Sequence, residues 1–559
     1  MSERILVAVA WPYANGSIHI GAVAGAYLPP DIFARYHRMK GNDVLMVSGS
    51  DAHGTPVTLA AEKRGVTPEA FYSEYQAEML DGWRRLGISF DLFTTTHTQN
   101  HTEVSQDIFL RLREQGYIYT DTTTQPFCEK DARFLADRYV EGTCPHCGYS
   151  GARGDQCDNC GRTLDPQDLI DMVCQICGTT PVMRETEHFF LKLSAFEEPL
   201  LKWVRAQTHW KRNVRNLTLA YLEGGLHDRA ITRDIEWGVP VPVEGYGDKR
   251  IYVWFEAVIG YLSASKEWAQ AKGTPERWED FWRKECRAYY FMGKDNITFH
   301  TVIWPAMLMG YGGLNLPYDV PANEYLNLEG LKFSTSRNWA IWLPDYLDRY
   351  DPDPLRYALA SNMPETSDSE FSWREYVRSN NDELVATYGN LVHRVLTMSA
   401  RNFDGMVPDA GELDGSSRDL LAQARQLFQE TAQNIEVCRF RMALQAAMSL
   451  AHAANRYLDQ KAPWKQMRSD KGAAATTLWV SLSVINCLKT QLYPFLPFSS
   501  DELHRMLGFE GSVTDAGWEW AEDALKSGQL LGEPKPLFTK LDEALIEDEL
   551  QRIGQEASA

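Results

Sequence analysis

The sequence predicts an α/β fold in which a parallel sheet is split by a cysteine-rich insertion and followed by an α-helical bundle. Three features carry that expectation. Apolar strand-like runs alternate with helical patterns between residues 4 and 87. Seven of the ten cysteines fall between Cys128 and Cys177, where the alternation stops. Beyond about residue 380 the strand patterns end and long amphipathic stretches rich in Ala and Leu take over. A chain of 559 residues holds roughly three or four domains of about 150 residues each.

Taken in order, Arg4–Ala10 is apolar almost throughout, as a strand buried on both faces should be, and is too short to be a leader. Pro12-Tyr13-Ala14-Asn15-Gly16-Ser17 breaks the run. A helix of small residues is expected over about 19–40, closed by Lys40-Gly41-Asn42. Asp43–Ser50 reads as a second buried strand, ended by Asp51-Ala52-His53-Gly54. Helical patterns fill about 55–65 and 68–87, the second opened by Thr67-Pro68-Glu69 as an N-cap with a first-turn proline. This order places a ligand site at the carboxyl ends of parallel strands. The pattern lapses over about 118–230 and returns at Arg250–Phe255 and Ala288–Gly293, both expected as strands leading into helices. Residues 383–402, 417–432, 434–461 and 473–491 are the expected bundle helices, and the acidic Asp542–Glu549 reads as a solvated helix end.

With 56 Lys and Arg against 76 Asp and Glu, the net charge is −20. That excludes a small basic nucleic-acid module but not a local basic path on a larger enzyme. Lys202, Arg205, Lys211, Arg212 and Arg215 form such a stretch, with no acid between 200 and 216, and read either as a phosphate track or as a solvated helix face. No run approaches the roughly 18 apolar residues of a spanning helix, so a soluble, cytoplasmic chain without a membrane partner is expected.

Cys-x-x-Cys pairs clustered inside a long chain point to metal in a reducing compartment rather than to disulfides. Cys144-Pro-His-Cys147 and Cys157-Asp-Asn-Cys160 are two such knuckles, each followed by a glycine that permits the tight turn. Four thiolates make a closed, structural site whose natural occupant is zinc. Cys174-Gln-Ile-Cys177 is a third knuckle. Cys128-Glu-Lys-Asp131 resembles a fourth with Asp as its second ligand, and the sequence leaves open whether this second set holds metal or is vestigial. Cys286, Cys438 and Cys487 are expected as buried apolar thiols.

Between the first strand and first helix lies Ser17-Ile18-His19-Ile20-Gly21-Ala22. Gly21 lets a ligand approach the backbone, a helix N-terminus attracts phosphate, and His19 suits an anionic oxygen in a transition state, or else simply caps the helix. Leu331-Lys332-Phe333-Ser334-Thr335-Ser336-Arg337 is a polar loop suited to closing on a polyphosphate. Together, HIGA and KFSTS resemble the HIGH and KMSKS signatures of class I aminoacyl-tRNA synthetases. Ala10-Trp-Pro-Tyr13-Ala-Asn-Gly16, Asp51-Ala-His-Gly54, Tyr252-Val-Trp254-Phe-Glu-Ala257-Val-Ile-Gly-Tyr261, Gly293-Lys-Asp295-Asn-Ile-Thr-Phe299-His300 and Glu185-Thr-Glu-His-Phe-Phe190 narrow the likeness to the methionyl-tRNA synthetase family, from about residue 4 to about 465.

The resemblance implies a Rossmann-like catalytic sheet (1–117 and 231–322), a connective insertion with zinc knuckles (118–230), a KMSKS-like loop and stem-contact region (323–382) and an anticodon-binding bundle (383–559). It implies activation of L-methionine with ATP and Mg2+ and transfer to tRNA(Met), by a chain expected to be a monomer. His19, Lys332 and Asp295 would be catalytic. Gly21, Ser334 and Thr335 would join them around ATP. Asp51 would hold the substrate ammonium. Trp11, Tyr13, Trp254, Ala257, Tyr261, Phe299 and His300 would form the methionine pocket, with the Tyr261 hydroxyl donating to the sulfur. Arg233 would orient the acid groups, and Asn390, Arg394 and Trp464 would read the anticodon. Two departures stand out: Ala22 replaces the last His of HIGH, and Thr335 replaces the second Lys of KMSKS, with Arg337 as a candidate substitute. The alternative reading is a degenerate relative that binds tRNA without catalysis.

Overall fold

The computed structural model describes residues 2–154, 157, 159–160, 162, 164–334 and 338–553. Its centre is a five-stranded parallel sheet built from β1 (Arg4–Val9), β2 (Asp43–Ser50), β3 (Leu92–Thr95), β6 (Arg287–Gly293) and β7 (Ala322–Asn323), in the order β7-β6-β1-β2-β3. Val7 pairs with Met46 on one side and with Tyr289 on the other. The apolar run of β1 follows from its position: Ile5, Val7 and Val9 face one core, whereas Leu6, Ala8 and Ala10 face another.

The first core is shared with the C-terminal bundle, whose helices span Asn390–Asn402, Gly415–Glu436, Phe440–Lys461 and Lys471–Leu492. A buried ion cluster ties the two parts together. Arg356 donates to Asp31 at 2.7 Å and to the carbonyls of Pro494 and Phe495 at 2.8 Å each, while Arg35 reaches the same Asp31 carboxylate at 2.9 Å. The second core takes in Leu200, Val204, Val214 and Leu222 from the helices Glu197–Ala206 and Arg212–Glu223, so the chain rejoins the main body by residue 200.

The insertion leaves and returns on a long antiparallel pair, β4 (Ile118–Cys128) and β5 (Val182–Leu191). Between them the knuckles enclose a small core of their own, with Cys128, Tyr139, Cys144, Cys157 and Cys174 inside it. This unit rests on the helix Thr55–Arg64. Tyr139 donates to Thr58 at 2.9 Å, and Arg133 pairs with Glu62 at 2.9 Å. Among the described residues no helix is long and apolar enough to cross a membrane.

Two expectations are corrected. Arg250–Phe255 is not a strand of the sheet: only Arg250–Ile251 is extended, paired antiparallel with Thr232–Arg233, and Val253–Glu256 is already helical. A short apolar run buried on several sides carries no period that separates the two conformations. The acidic end is not merely solvated either. In the helix Ala544–Arg552, Glu549 is buried and accepts from Arg349 at 2.9 Å and Tyr350 at 2.8 Å.

Candidate active site

The carboxyl ends of β1 and β2 continue to pair beyond the strands, because Asp51 N–H donates to the Pro12 carbonyl at 2.7 Å and Ala14 N–H to that of Asp51 at 3.0 Å. Tyr13 and Asp51 are thereby set side by side at the sheet edge. Around them opens a cleft of about 690 Å³. It gathers Trp11, Tyr13, His19, Gly21, Asp51, Trp254, Ala257, Tyr261, Asp295, Phe299, His300 and Lys332, residues spread over more than half the chain.

His19 caps the helix that follows β1, its Nδ1 accepting from Ala22 N–H at 3.1 Å. That bond assigns the ring proton to Nε2. Burial lowers the imidazole to about 4, so His19 is a neutral N–H donor at pH 7. Its ring stacks on Phe333 with centroids 4.8 Å apart. Gly21 makes the stack possible, since a Cβ there would lie 2.8 Å from the Phe333 ring. The loop carrying Lys332 is thus seated directly on the helix N-terminus. Lys332 Nζ lies 5.2 Å over the Tyr325 ring, and the Tyr325 hydroxyl donates to Asp295. Ser334 pairs its backbone with Trp339 and lines a neighbouring cleft; Thr335 and Arg337 lie outside the described residues.

The apolar side is walled by Trp254 and Phe299, edge to face at 5.0 Å. His300 donates from Nδ1 to the Asn296 carbonyl at 2.8 Å, leaving Nε2 to accept from the Tyr261 hydroxyl at 2.7 Å. Burial lowers His300 to about 4, which keeps it neutral. The Tyr261 proton is therefore committed to His300, and Tyr261 meets a ligand with its ring and a lone pair, not with the hydroxyl proton expected from the sequence. Trp11 packs closely against two glycines: a Cβ on Gly49 would fall 2.3 Å from its ring, and one on Gly260 2.6 Å.

Asp51 is buried, and both burial and the charge of Glu256 push its carboxyl upward. Glu256 itself sits between two imidazoles, His53 at 2.8 Å and His101 at 2.6 Å, and His53 in turn meets His97 at 3.0 Å. Sequence reasoning missed Glu256 and His101. Their only signal is membership of apolar or helical runs, and 155 residues separate them. Arg233 lies behind the cleft, over the Tyr252 ring at 3.6 Å and 3.5 Å from Asp137, and does not line the pocket.

A second cleft of about 970 Å³ continues past His19 and Lys332 to the knuckle unit. Lys63, Arg138 and Arg153 line it, and its described lining includes no Asp or Glu. In the basic stretch, by contrast, Arg205 pairs with Glu223 at 3.4 Å, and Lys211 donates to the Glu365 carbonyl.

The Sγ atoms of Cys144, Cys147, Cys157 and Cys160 converge within 4.8 Å of one another, with Cys144 to Cys160 at 3.9 Å and Cys147 to Cys157 at 3.6 Å. Thiolates bound to one zinc at about 2.3 Å stand about 3.8 Å apart, so this set fits zinc without rearrangement. Cys128, Asp131, Cys174 and Cys177 form a second convergent group. On the bundle, Arg394 lies 5.1 Å over the Trp464 ring and pairs with Asp459 at 3.0 Å, and Asn390 stands exposed at the start of the same helix as Arg394.

The family model for class I tRNA synthetases (M) matches residues 5–396, and that for the anticodon binding domain of methionyl tRNA ligase matches residues 407–557. The methionine--tRNA ligase of Thermomicrobium roseum is 56% identical over 579 residues, covering 99% of each chain. That of Dehalococcoides mccartyi is 58% identical over 554 residues, covering 99% of this chain and all of the relative. A crystal structure of Mycobacterium tuberculosis methionyl-tRNA synthetase bound by methionyl-adenylate aligns with TM-score 0.80 and 27% identity, over 96% of this chain and 100% of that one.

Proposed function

This chain belongs to the methionyl-tRNA synthetase family of class I enzymes, and from that premise we propose how its residues divide the reaction. It is a methionine--tRNA ligase: it joins methionine to ATP as methionyl-adenylate with release of pyrophosphate, then passes the methionyl group to the 3′ end of tRNA with release of AMP. One observation carries the assignment of roles. A neutral His donor, the Lys332 ammonium, a buried carboxylate and an aromatic pocket all face one cleft at the carboxyl edge of the sheet.

Asp51 receives the substrate ammonium, whose positive charge relieves the repulsion from Glu256. Trp11, Tyr13, Trp254, Ala257, Tyr261, Phe299 and His300 enclose the thioether side chain, which favours ring contacts. The methionine carboxylate then attacks the α-phosphorus while the bond to the β-phosphate breaks. Negative charge grows on the phosphoryl oxygens, where His19 Nε2–H and the Lys332 ammonium meet it. Gly21 and Ser334 border the phosphates, and Asp295, bonded to Tyr325, holds the ribose. Mg2+ accompanies ATP and offsets phosphate charge.

Zinc held by Cys144, Cys147, Cys157 and Cys160 fixes the fold of the knuckle unit and takes no part in the chemistry. The cleft bordered by Lys63, Arg138 and Arg153, whose described lining includes no Asp or Glu, admits the single-stranded end of tRNA(Met). Asn390, Arg394 and Trp464 read its anticodon through stacking and hydrogen bonds. The enzyme works as a monomer in the cytoplasm.

The test is amino-acid-dependent ATP–pyrophosphate exchange with methionine against leucine, isoleucine, valine and cysteine. Exchange with methionine alone, abolished in Lys332→Ala, supports these roles. Loss in Arg337→Ala as well would make Arg337 the substitute for the missing lysine. Folded protein that exchanges with no amino acid would instead be a tRNA-binding relative without catalysis.

A further inference from the structure

We propose that His97 is a positioning residue for methionine binding, the solvent-facing end of a hydrogen-bonded relay that runs through His53 to Glu256 and sets the charge beneath the Asp51 carboxylate. The proposal rests on Asp51 as the partner of the substrate ammonium.

His97 Nδ1 stands 3.0 Å from His53 Nε2, and His53 Nδ1 stands 2.8 Å from Glu256 Oε1. His101 Nε2 closes the chain at 2.6 Å from Glu256 Oε2, and its Nδ1 lies 2.8 Å from the Ser263 hydroxyl. An ionised Glu256 only accepts, so His53 Nδ1 and His101 Nε2 both carry protons. A neutral His53 then offers a bare Nε2, which the His97 Nδ1–H meets. His53, Glu256 and His101 are buried, whereas His97 is exposed. The relay also touches Asp51, since the His53 backbone N–H donates to Asp51 Oδ1 at 3.3 Å. The described lining of the cleft includes Asp51 but none of these four side chains.

The exposed end is held, as a merely solvated imidazole is not. His97 stacks on Trp237 with centroids 4.5 Å apart, and Tyr72 meets it edge-on at 5.4 Å. Trp237 is itself fixed, donating from Nε1 to the carbonyl of Ala52, between Asp51 and His53, at 2.7 Å. The His97 ring therefore leaves His53 only by breaking this stack. The charged and titratable groups that face it are His53 and Glu256 from within, and Glu69 and Tyr72 from the helix Pro68–Leu86. Glu267, which accepts from Thr94, faces His101 at the far end.

Asp51 and Glu256 are two buried acids, and methionine brings one ammonium. One further positive charge balances the set. A proton taken from water at His97 Nε2 lets Nδ1 hand its own to His53 Nε2. His97 ends as its other neutral tautomer, and His53 as an imidazolium paired with Glu256. Burial, and then the nearness of His53, lower the His97 imidazole, so the relay loads on the acid side of neutrality. There it offsets the Glu256 charge, and Asp51 stays ionised, able to hold an ammonium, to a lower pH than it otherwise would.

The experiment is methionine-dependent pyrophosphate exchange by full-length wild type, His97→Asn and His97→Leu, from about pH 5.5 to about pH 8.5. Asn keeps an N–H where Nδ1 stands but cannot pass a proton on; Leu removes both functions. His97→Asn should keep KM for methionine within about twofold of wild type at about pH 8 and raise it about threefold at about pH 6, its acid limb moving up by about half a pH unit. His97→Leu should raise that KM about fivefold throughout, by leaving His53 Nε2 without its donor, with kcat and the KM for ATP unmoved. A His97→Asn limb that superimposes on wild type overturns the relay, as does an unchanged KM for methionine in His97→Leu. Should His97→Leu fail to fold, the His97→Asn profile decides alone. Asp51→Asn, run alongside, tests the ammonium site itself. An unchanged KM for methionine there removes Asp51 as the ammonium's partner and the relay's role with it, whereas a large rise there with a superimposed His97→Asn limb overturns the relay only.

Discussion

His53 Nδ1 stands 2.8 Å from Glu256 Oε1, and both side chains are buried beneath the Asp51 carboxylate segment. Burial alone would raise Glu256, but the charge of His53 and the hydrogen bonds of both imidazoles outweigh it and hold the carboxyl at about 2. Glu256 therefore stays ionised and repels Asp51, whose carboxyl is pushed up first by burial and then by that charge. Asp51 takes up its proton at a higher pH than an ordinary carboxylate, and protonated Asp51 cannot pair with an ammonium. We predict that kcat/KM for methionine falls on the acid side, and that Glu256→Gln moves that limb to lower pH. A pH profile of pyrophosphate exchange checks this; an unmoved limb in a folded variant would separate the two carboxylates electrically.

Trp11 and Gly260 are a matched pair. Gly260 opens a helix, where alanine is otherwise acceptable, but its Cβ would lie 2.6 Å from the indole. Gly260→Ala should cost about 1–3 kcal/mol through overpacking and raise the KM for methionine. Trp11→Leu combined with Gly260→Ala should recover most of that stability. Urea denaturation of the single and double variants measures the coupling, and simple additivity would refute the contact.

Arg356 and Asp31 are both fully buried, at 2.7 Å. Burial opposes the Asp31 charge, but Arg35 and Arg356 prevail and lower it to about 2. Because the folded pKa lies below the unfolded one, this stabilisation is present above about pH 4 and is lost as the pH falls toward 2. Arg356→Ala should destabilise the chain by about 3–5 kcal/mol at neutral pH and blunt its loss of stability in acid. Chemical denaturation at pH 7 and at about pH 2 reads both effects.

Arg394 and Trp464 meet at 5.1 Å on a surface remote in sequence from the cleft. Trp464→Ala should weaken tRNA(Met) by about 1–3 kcal/mol, the worth of one stacked base. The change should fall on the KM for tRNA in aminoacylation. An equal loss in tRNA-independent pyrophosphate exchange would make Trp464 a structural residue instead.

How much of this was legible in the sequence depends on how local each signal is. β1, β2 and β6 were readable because both faces of each are buried, leaving uniform apolar runs. The convergence of the knuckle cysteines was readable because Cys-x-x-Cys spacing is set within a few residues. Val253–Glu256 was not, since an apolar run of that length serves strand and helix alike. The Glu256–His101 bond and the Glu549–Arg349 bond, spanning 155 and 200 residues, leave no local trace at all. Tyr261 shows the finest limit: its residue type suggested a donor to sulfur, but only the Asn296 carbonyl on the far side of His300 decides where its proton goes.

The Arg356 cluster has a bearing on how the chain is made. Asp31 emerges from the ribosome early, its partner Arg356 more than three hundred residues later, and the carbonyls of Pro494 and Phe495 that complete the guanidinium's bonding later still. Until then the nascent amino-terminal half has only Arg35 and Ser89 to satisfy Asp31, on a face whose apolar covering is also still to come. Docking of sheet and bundle is therefore a late event governed by contacts of long sequence separation, and the half-made chain is the stage most exposed to chaperones and proteases.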